Sequence, residues 1–420
     1  MQNIEAILKN AKNAKGKLSK IKHENIISFL QSTAESIAKN AQNILKANRE
    51  DMQMASKMHL SEAMLERLEL NDKKLESIQE SIHKVALLEN PVGKKLYSFQ
   101  NYAKLDIQKI STPIGVIGII YESRPNVTSD TIALCIKSGN VCILKGGKEA
   151  QKSNEAIASC FFENMEKYCI PQNSITMLQA IQNSDELKLI LKAKNYIDLI
   201  IPRGGEGLIN FVLENSLIPI IKQDKGVCHI FVHSSCNQDK SIEIIINAKT
   251  SRPSVCNSCE CLLIDKKIAS EFLPKVALKL MEKNTILKGD NECVKLLKEH
   301  NIQCDEIPNC DYHIEYNDNI LNLKIVDGLN EAISHINEFS SGHSESILCE
   351  DKEIAQEFLD TIDSACVYVN ASTRFTDGGE FGFGAEVGIS TSKIHTRGPM
   401  GIESLTSYKY KIIGNGQIRI

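Results

Sequence analysis

The sequence has no block of basic residues, no apolar leader at its start and no apolar run of membrane-spanning length. Each absence removes a class of function. Lysine and arginine number 49 against 53 acidic residues and are scattered, so a net charge of −4 gives no footprint for a phosphate backbone. No nucleic-acid partner is expected. The opening MQNIEAILKNAKNAKGKLSK lacks an apolar h-region and a small-residue cleavage site. A bilayer span needs about 20 consecutive apolar residues, and no run approaches that. The expectation is a soluble, cytoplasmic protein without a membrane partner. Glycine is nearly absent from the first 90 residues, the GxGxxG fingerprint is missing, and neither repeats nor low-complexity segments occur.

What is present is ordinary for a globular protein: 42% hydrophobic and 24% charged residues over 420 positions, enough for two or three domains. Cysteine is plentiful, at 14. Many, such as Cys135, Cys142, Cys228 and Cys349, stand singly in apolar runs, which suits small buried hydrophobes in a reducing compartment. The densest group is Cys256, Cys259 and Cys261. Its one CxxC, Cys256 with Cys259, has no second CxxC to pair with. His300, Cys304, Cys310 and His313 form a second loose group. A zinc site needs four ligands at sensible spacing, so no metal is assigned.

Residues 1 to about 90 read as helices, with Ile26, Ile27, Leu30, Ala34 and Ile37 at helical spacing. Helices are also expected near Leu60–Leu70 and Leu75–Leu88, closed by the turn Asn90-Pro91-Val92-Gly93. From about 100, strands alternate with helices. LDIQKISTPIGVIGIIY, VCILKGG, SITMLQ and YIDLIIPRGG read as strands, and so do VCHIFVHSS, CLLIDK, ESILCED and ACVYVNAS further on. Helices are expected between them, near 149–169, 184–193, 206–214, 239–249, 331–339 and 353–363. This alternation predicts an α/β fold of parallel sheets covered on both faces. The tail LTSYKYKIIGNGQIRI reads as a hairpin about Asn-Gly, free to pair with another subunit.

Glycines follow three strands, in Ile114-Gly115 to Gly118, Lys145-Gly146-Gly147 and Arg203-Gly204-Gly205-Glu206-Gly207. Bare backbone at the carboxyl end of a parallel strand lets a dinucleotide approach, though ordinary βα loops use glycine too. Cys256, in the loop Pro253-Ser254-Val255-Cys256-Asn257, sits where a nucleophile can be exposed. From spacing alone, Cys256, Cys259 and Cys261 remain indistinguishable.

In order along the chain, GVIGIIYESRPNVTSDT from Gly115, LKGGKEA, IIPRGGEGLI, DKGVCHIFV, SVCN, SGHSESIL, VYVNASTRFTDGGEFGFGAEVGIST and HTRGPMGIESLTSYKY resemble the aldehyde dehydrogenase superfamily. The match covers roughly residues 95 to 420. The long C-terminal stretch resembles the branch that reduces the acyl phosphate L-glutamyl 5-phosphate to its semialdehyde, for L-proline biosynthesis. The resemblance implies a Rossmann-type cofactor domain, an α/β catalytic domain and a small β oligomerisation element. The corresponding boundaries are 1–225, with a hairpin at 103–113, then 226–395, then a C-terminal return at 396–420. It implies Cys256 as thiolate nucleophile and Asn126 as oxyanion partner of the Cys256 amide. Lys145, Gly147, Lys148, Arg203, Gly204, Gly205 and Glu315 would hold the cofactor, NADPH. Arg124, Asn257, Ser372 and Arg374 are the substrate candidates, with Arg252 as a further anchor. A homo-oligomer, dimer or tetramer, is implied, as is a transient contact with the glutamate 5-kinase that makes the labile substrate.

Two departures from ordinary members sharpen the expectation. Where oxidative members carry Glu-Leu-Gly-Gly, this chain reads Ile221-Lys222-Gln223-Asp224-Lys225-Gly226, without the base that hydrolyses a thioester. Where NAD-preferring members place an acid three residues after the ribose lysine, this chain has Lys148, a cation suited to a 2′-phosphate. A coenzyme A-dependent acylating enzyme and an inactive paralogue compete with this reading.

Overall fold

The computed structural model describes residues 4–58, 60, 62–178, 184–222, 225–307 and 311–419. The chain forms two compact units. The first comprises Met1–Gln223, Gly382–Gly388 and Pro399–Ile420; the second comprises Asp224–Phe381 and Ile389–Gly398. The α/β architecture with parallel sheets is the one the strand and helix alternation predicts. No helix among the described residues is long and apolar enough to cross a membrane.

The first unit opens with helices whose apolar residues recur every three or four positions. His23–Lys39 buries Ile26, Phe29, Leu30, Thr33, Ala34 and Ile37 along one stripe, and packs on Asp72–Leu87, which answers with Leu75, Ile78, Ile82 and Val85. Asn71 caps that second helix by accepting from the Lys74 amide. These helices share a core with a four-stranded parallel sheet, ordered Ile175–Met177, Val141–Lys145, Val116–Tyr121, Leu199–Arg203. Every residue of the inner strand Val116–Tyr121 is buried, which explains its unbroken apolar run.

A separate three-stranded antiparallel sheet consists of Lys95–Gln100, Asp106–Pro113 and Thr406–Ile413, with Asp106–Pro113 in the middle. Here the structure corrects the sequence reading of the tail. Thr406–Ile413 does not fold back on itself about Asn415-Gly416. It runs along Asp106–Pro113 from Thr406↔Pro113 to Ile413↔Asp106. The middle strand offers an edge along which eight residues pair. The hairpin expected at 103–113 likewise begins earlier, at Lys95.

The second unit is built on a seven-stranded, all-parallel sheet. Its order is Asp305–Glu306, Ile286–Gly289, Ile320–Val326, Cys259–Asp265, Cys228–Val232, Ser344–Leu348, Cys366–Val369. Helices Gln238–Thr250, Lys266–Met281 and Asn291–Glu299 contribute to one apolar core, and Gly328–Phe339 and Lys352–Thr361 to another. One irregularity matters below. Cys228 pairs with Cys259, but His229 pairs with Cys261, so Glu260 is the extra residue of a β-bulge. Cys259 and Cys261, two apart, therefore enter different cores.

Candidate active site

In the first unit, three loops leave the carboxyl edge of the parallel sheet side by side. The loop after Val116–Tyr121 leads into helix Pro125–Lys137, with Arg124 half-buried and Asn126 exposed, its amide donating to Asp130 Oδ2 at 3.2 Å. The loop after Val141–Lys145 carries Lys145, Gly147 and the exposed Lys148. The loop after Leu199–Arg203 carries Gly204 and Gly205, with Gly205 at the start of helix Glu206–Asn215. Two carboxylates absent from the sequence reading tie these loops together. Glu149 Oε1 accepts from the Ser123 amide at 2.7 Å and its hydroxyl at 2.9 Å, holding Ser123 at φ 38°. Glu122 Oε2 accepts from the Gly205 amide at 2.8 Å.

The glycines of this edge make room for those carboxylates. A Cβ on Gly147 would sit 2.0 Å from Glu149 Oε1, and one on Gly204 would sit 2.4 Å from Glu122 Oε2. Lys145 is half-buried; burial lowers its pKa, while Glu149 and Glu122 pull it back up. Arg203 differs from its neighbours. It is buried, and its guanidinium packs so closely on Gly388 that a Cβ there would approach Nη1 to 2.6 Å. Bare backbone beside the cations Lys145 and Lys148 fits an anionic nucleotide at this edge.

In the second unit, Cys256 lies half-buried in the loop between helix Gln238–Thr250 and strand Cys259–Asp265. Several contacts fix this loop. The Cys228 thiol donates to the Cys256 carbonyl at 3.2 Å. Gly226 lies directly against that carbonyl: a Cβ on Gly226 would fall 1.7 Å from the Cys256 oxygen. The Gly226 amide donates to Glu315 Oε1 at 3.0 Å, which places the predicted Glu315 beside the cysteine loop. Lys225 donates to the His313 carbonyl at 2.9 Å. Gln223 and Asp224 of the same segment lie outside the described residues, as does Cys310.

Asn257 is buried and fully engaged. Its Nδ2 donates to the Thr376 carbonyl at 2.8 Å, its Oδ1 accepts from Arg374 Nη1, and its carbonyl accepts from Thr373 Oγ1 at 2.7 Å. Ser372 is buried and caps the short turn Thr373–Phe375 by accepting from the Arg374 amide at 3.3 Å. These two side chains hold Arg374. The Arg374 guanidinium, which also donates to Ser251 Oγ at 3.1 Å, feels the charges of Arg252 and Cys256. Burial first, then Arg252, lowers its pKa. Lys249 and Glu260, both buried, pair at 3.0 Å one helix end and one bulge away from Cys256. Burial pushes Glu260 up to about 8, against the pull of Lys249. The sequence carried no signal for this pair, since the bulge that turns Glu260 inward depends on strand register.

The structure distinguishes the three cysteines by burial. Cys259 and Cys261 lie wholly within strand Cys259–Asp265 and are buried, and burial pushes Cys259 up to about 12 and Cys261 well above the ordinary thiol value. Cys256 alone of the three stands in a loop and reaches partial exposure.

Comparison with known proteins agrees with this geometry. The pattern of the Aldehyde dehydrogenase family matches residues 1–294. The chain is 50% identical over 416 residues to the gamma-glutamyl phosphate reductase of a Nitratiruptor species, covering 99% of this chain and 100% of that one. It is 49% identical over 416 residues to the protein of that name from Sulfurimonas denitrificans, with the same coverage. Among solved structures, the gamma-glutamyl phosphate reductase of Thermotoga maritima superposes with a TM-score of 0.93 at 40% identity, over 99% of each chain. An acetylating aldehyde dehydrogenase from Geobacillus thermoglucosidasius shares the fold at 18% identity, with a TM-score of 0.71 over 100% of this chain and 98% of that one.

Proposed function

The chain belongs to the aldehyde dehydrogenase family and is an oxidoreductase, and from that premise we propose that it reduces L-glutamyl 5-phosphate to L-glutamate 5-semialdehyde and phosphate, with NADPH as reductant, in proline biosynthesis. The family uses a nicotinamide cofactor; the choice of NADPH rests on Lys148. The observation that carries the reading is the half-buried Cys256, on a loop locked by Asn257 and Gly226, with the Arg374 guanidinium close enough to interact with it.

Cationic neighbours favour a thiolate and attract an anionic substrate. Attack by Cys256 Sγ on the acyl carbon forms a C–S bond, and inorganic phosphate departs with the electron pair of the broken C–O bond, leaving a thioester. The Cys256 amide and, by family resemblance, the Asn126 carboxamide donate to the oxyanion. When bound, NADPH supplies the hydride that takes the thioester to the aldehyde level. Cys256 then leaves as thiolate, ready for another turnover. The segment Ile221–Gly226 lacks the Glu-Leu-Gly-Gly of hydrolytic members, which supports reduction over hydrolysis. Lys145, Gly147, Lys148, Arg203, Gly204, Gly205 and Glu315 would hold the cofactor, with Arg203 buttressing its loop from a buried position. Arg124 and Arg374 would take the substrate anions, Arg374 being positioned by Asn257 and Ser372. Leu96, Phe99, Tyr408, Tyr410, Ile412 and Ile413, all exposed on the three-stranded sheet, support a homo-oligomer built through it.

The test is the reverse reaction, since the acyl phosphate is labile. Purified protein is mixed with glutamate 5-semialdehyde, excess phosphate and NADP or NAD, and reduced nicotinamide is followed by absorbance. Phosphate-dependent reduction of NADP that vanishes in Cys256→Ser is the expected result. Reduction without phosphate, or one that depends on coenzyme A instead, refutes it.

A further inference from the structure

We propose that His229, Cys261 and His335 form a binding site for one zinc ion in the core of the second unit, a site that the reduction of an acyl phosphate does not use. The case starts from the β-bulge. Because Glu260 is the extra residue, Cys261 pairs directly with His229 on the neighbouring strand and faces the same core. Helix Gly328–Phe339 covers that face and brings His335 down onto the pair. The outcome is three metal-ligating side chains, all buried, whose donor atoms lie within 4.8 Å of one another; it is the one such group among the described residues.

The distances suit zinc. In a tetrahedral site with bonds of about 2.3 Å to sulfur and about 2.0 Å to nitrogen, sulfur and nitrogen stand about 3.5 Å apart. Cys261 Sγ and His335 Nε2 are 3.7 Å apart. Closing the longest edge of the triangle by about 1 Å completes the geometry. A second, independent observation points to a missing ligand. His229 is fully buried, and its Nε2 has no hydrogen-bond partner among the described residues. A buried ring nitrogen without a partner loses its solvation for nothing in return. Its Nδ1 stands 3.2 Å from Glu345 Oε2, leaving Nε2 for the ion, and a carboxylate behind a ligating histidine is the usual support for bound zinc.

Charge points the same way. Zinc (+2), the Cys261 thiolate (−1) and the Glu345 carboxylate (−1) sum to neutrality, as a buried site requires. Binding exchanges the thiol proton, released to solvent, for the S–Zn bond, so uptake tightens as pH rises. His335 also lines a hollow of about 280 Å³ beside Tyr312, Lys324 and Asp290.

The experiment uses the full chain after chelator treatment, in a Cys256→Ser background so that the half-buried Cys256 thiol takes no part. Zinc chloride is titrated against a chromophoric competitor with proton release recorded. Cobalt is then substituted to look for a thiolate-to-metal absorption band. One equivalent of zinc, released protons and a thiolate–cobalt band are expected, with affinity falling at least about 100-fold in Cys261→Ser. Undiminished affinity in Cys261→Ser, or a Cys256→Ser protein that takes up no metal and shows no cobalt band, overturns the proposal. Should Cys261→Ser fail to fold, the cobalt band in the parent decides alone. A spectrum without thiolate character refutes the site.

Discussion

Replacing Gly226 by alanine adds one carbon and strikes the centre of the candidate site. Gly226 has no left-handed backbone that would strain an L-residue, so the effect is purely steric. The new Cβ would meet the Cys256 carbonyl oxygen at 1.7 Å, its carbon at 2.4 Å and its Cα at 2.6 Å. All three are backbone atoms and no rotamer change relieves them. Gly226 cannot simply retreat, because its amide is held by Glu315 at 3.0 Å. The cysteine loop, tied by Cys228 and Asn257, has to yield by something over 1 Å to restore van der Waals contact near 3.4 Å. A displacement of about 1 Å of a reacting group costs about 100-fold in rate. Overpacking adds about 1–3 kcal/mol of lost stability. The assay is the phosphate-dependent reverse reaction together with the rate of Cys256 alkylation by iodoacetamide, with circular dichroism to show that the variant is folded. Gly16→Ala is the control. It lies in helix Ile4–Leu18 with nothing within 4 Å of its added Cβ, and should gain about 0.5–1 kcal/mol without change in rate. A folded Gly226→Ala protein with wild-type kcat and alkylation rate would sink the claim that this glycine sets the position of Cys256.

Three further outcomes follow from the same contacts. Lys249→Met leaves Glu260 buried without its counter-charge and should cost about 3–5 kcal/mol in urea denaturation. Because burial holds Glu260 at about 8 in the folded state even beside Lys249, both folded proteins keep it protonated below that pH, and the deficit should be smallest in the ordinary carboxylate range and widen as pH climbs past about 8. A deficit that shrinks with pH contradicts the assignment. Burial lowers His335 from 6.5 to about 2, so the unfolded chain binds the extra proton first and stability should decline as pH falls below 6.5. At about pH 5 the loss is about 2 kcal/mol. Melts of the chelator-treated protein and of His335→Phe as a function of pH would check this, and parallel curves would refute it. Lys148→Glu should shift kcat/KM from NADP towards NAD by about tenfold or more; an unchanged ratio removes Lys148 from the cofactor site.

Much of the fold was legible because buried parallel strands announce themselves. Val116–Tyr121, Val141–Lys145, Leu199–Arg203 and Cys228–Val232 are short runs of apolar residues bounded by glycine or polar turns, and the structure places strands there. The two-residue strand Asp305–Glu306 was not legible, since both residues are exposed at the end of the sheet order. The C-terminal tail was misread for a related reason. Its Asn-Gly is a local hairpin signal, whereas its partner, Asp106–Pro113, lies some 300 residues earlier, and a local rule has no access to such a pairing. At the candidate site, residue types were visible but their duties were not. Asn257 and Ser372 stood out as substrate contacts, yet both are spent on holding Arg374. Glu122 and Glu149 drew no notice because a glutamate in a loop looks like any solvated charge until its backbone partners are seen. The joint presence of His229, Cys261 and His335 hinges on a single bulge, and register is written in the pairing of strands more than in either strand alone.

The antiparallel pairing of Asp106–Pro113 with Thr406–Ile413 has a consequence for how the protein is born. A ribosome releases the middle strand of that sheet about three hundred residues before its last partner exists. Met400, Ile402 and Leu405, all buried with the first unit's core, arrive equally late, and the Leu405 carbonyl is the acceptor for Asn140 Nδ2 at 2.8 Å. The second unit, whose residues all come between, can complete itself while the first still lacks its closing segment. Throughout that interval the nascent chain carries Asp106–Pro113 with one bare edge, a template for any stray strand. The sheet is sealed only once Thr406–Ile413 has emerged, and a chain cut after Leu405 would leave the ribosome with that edge open for good.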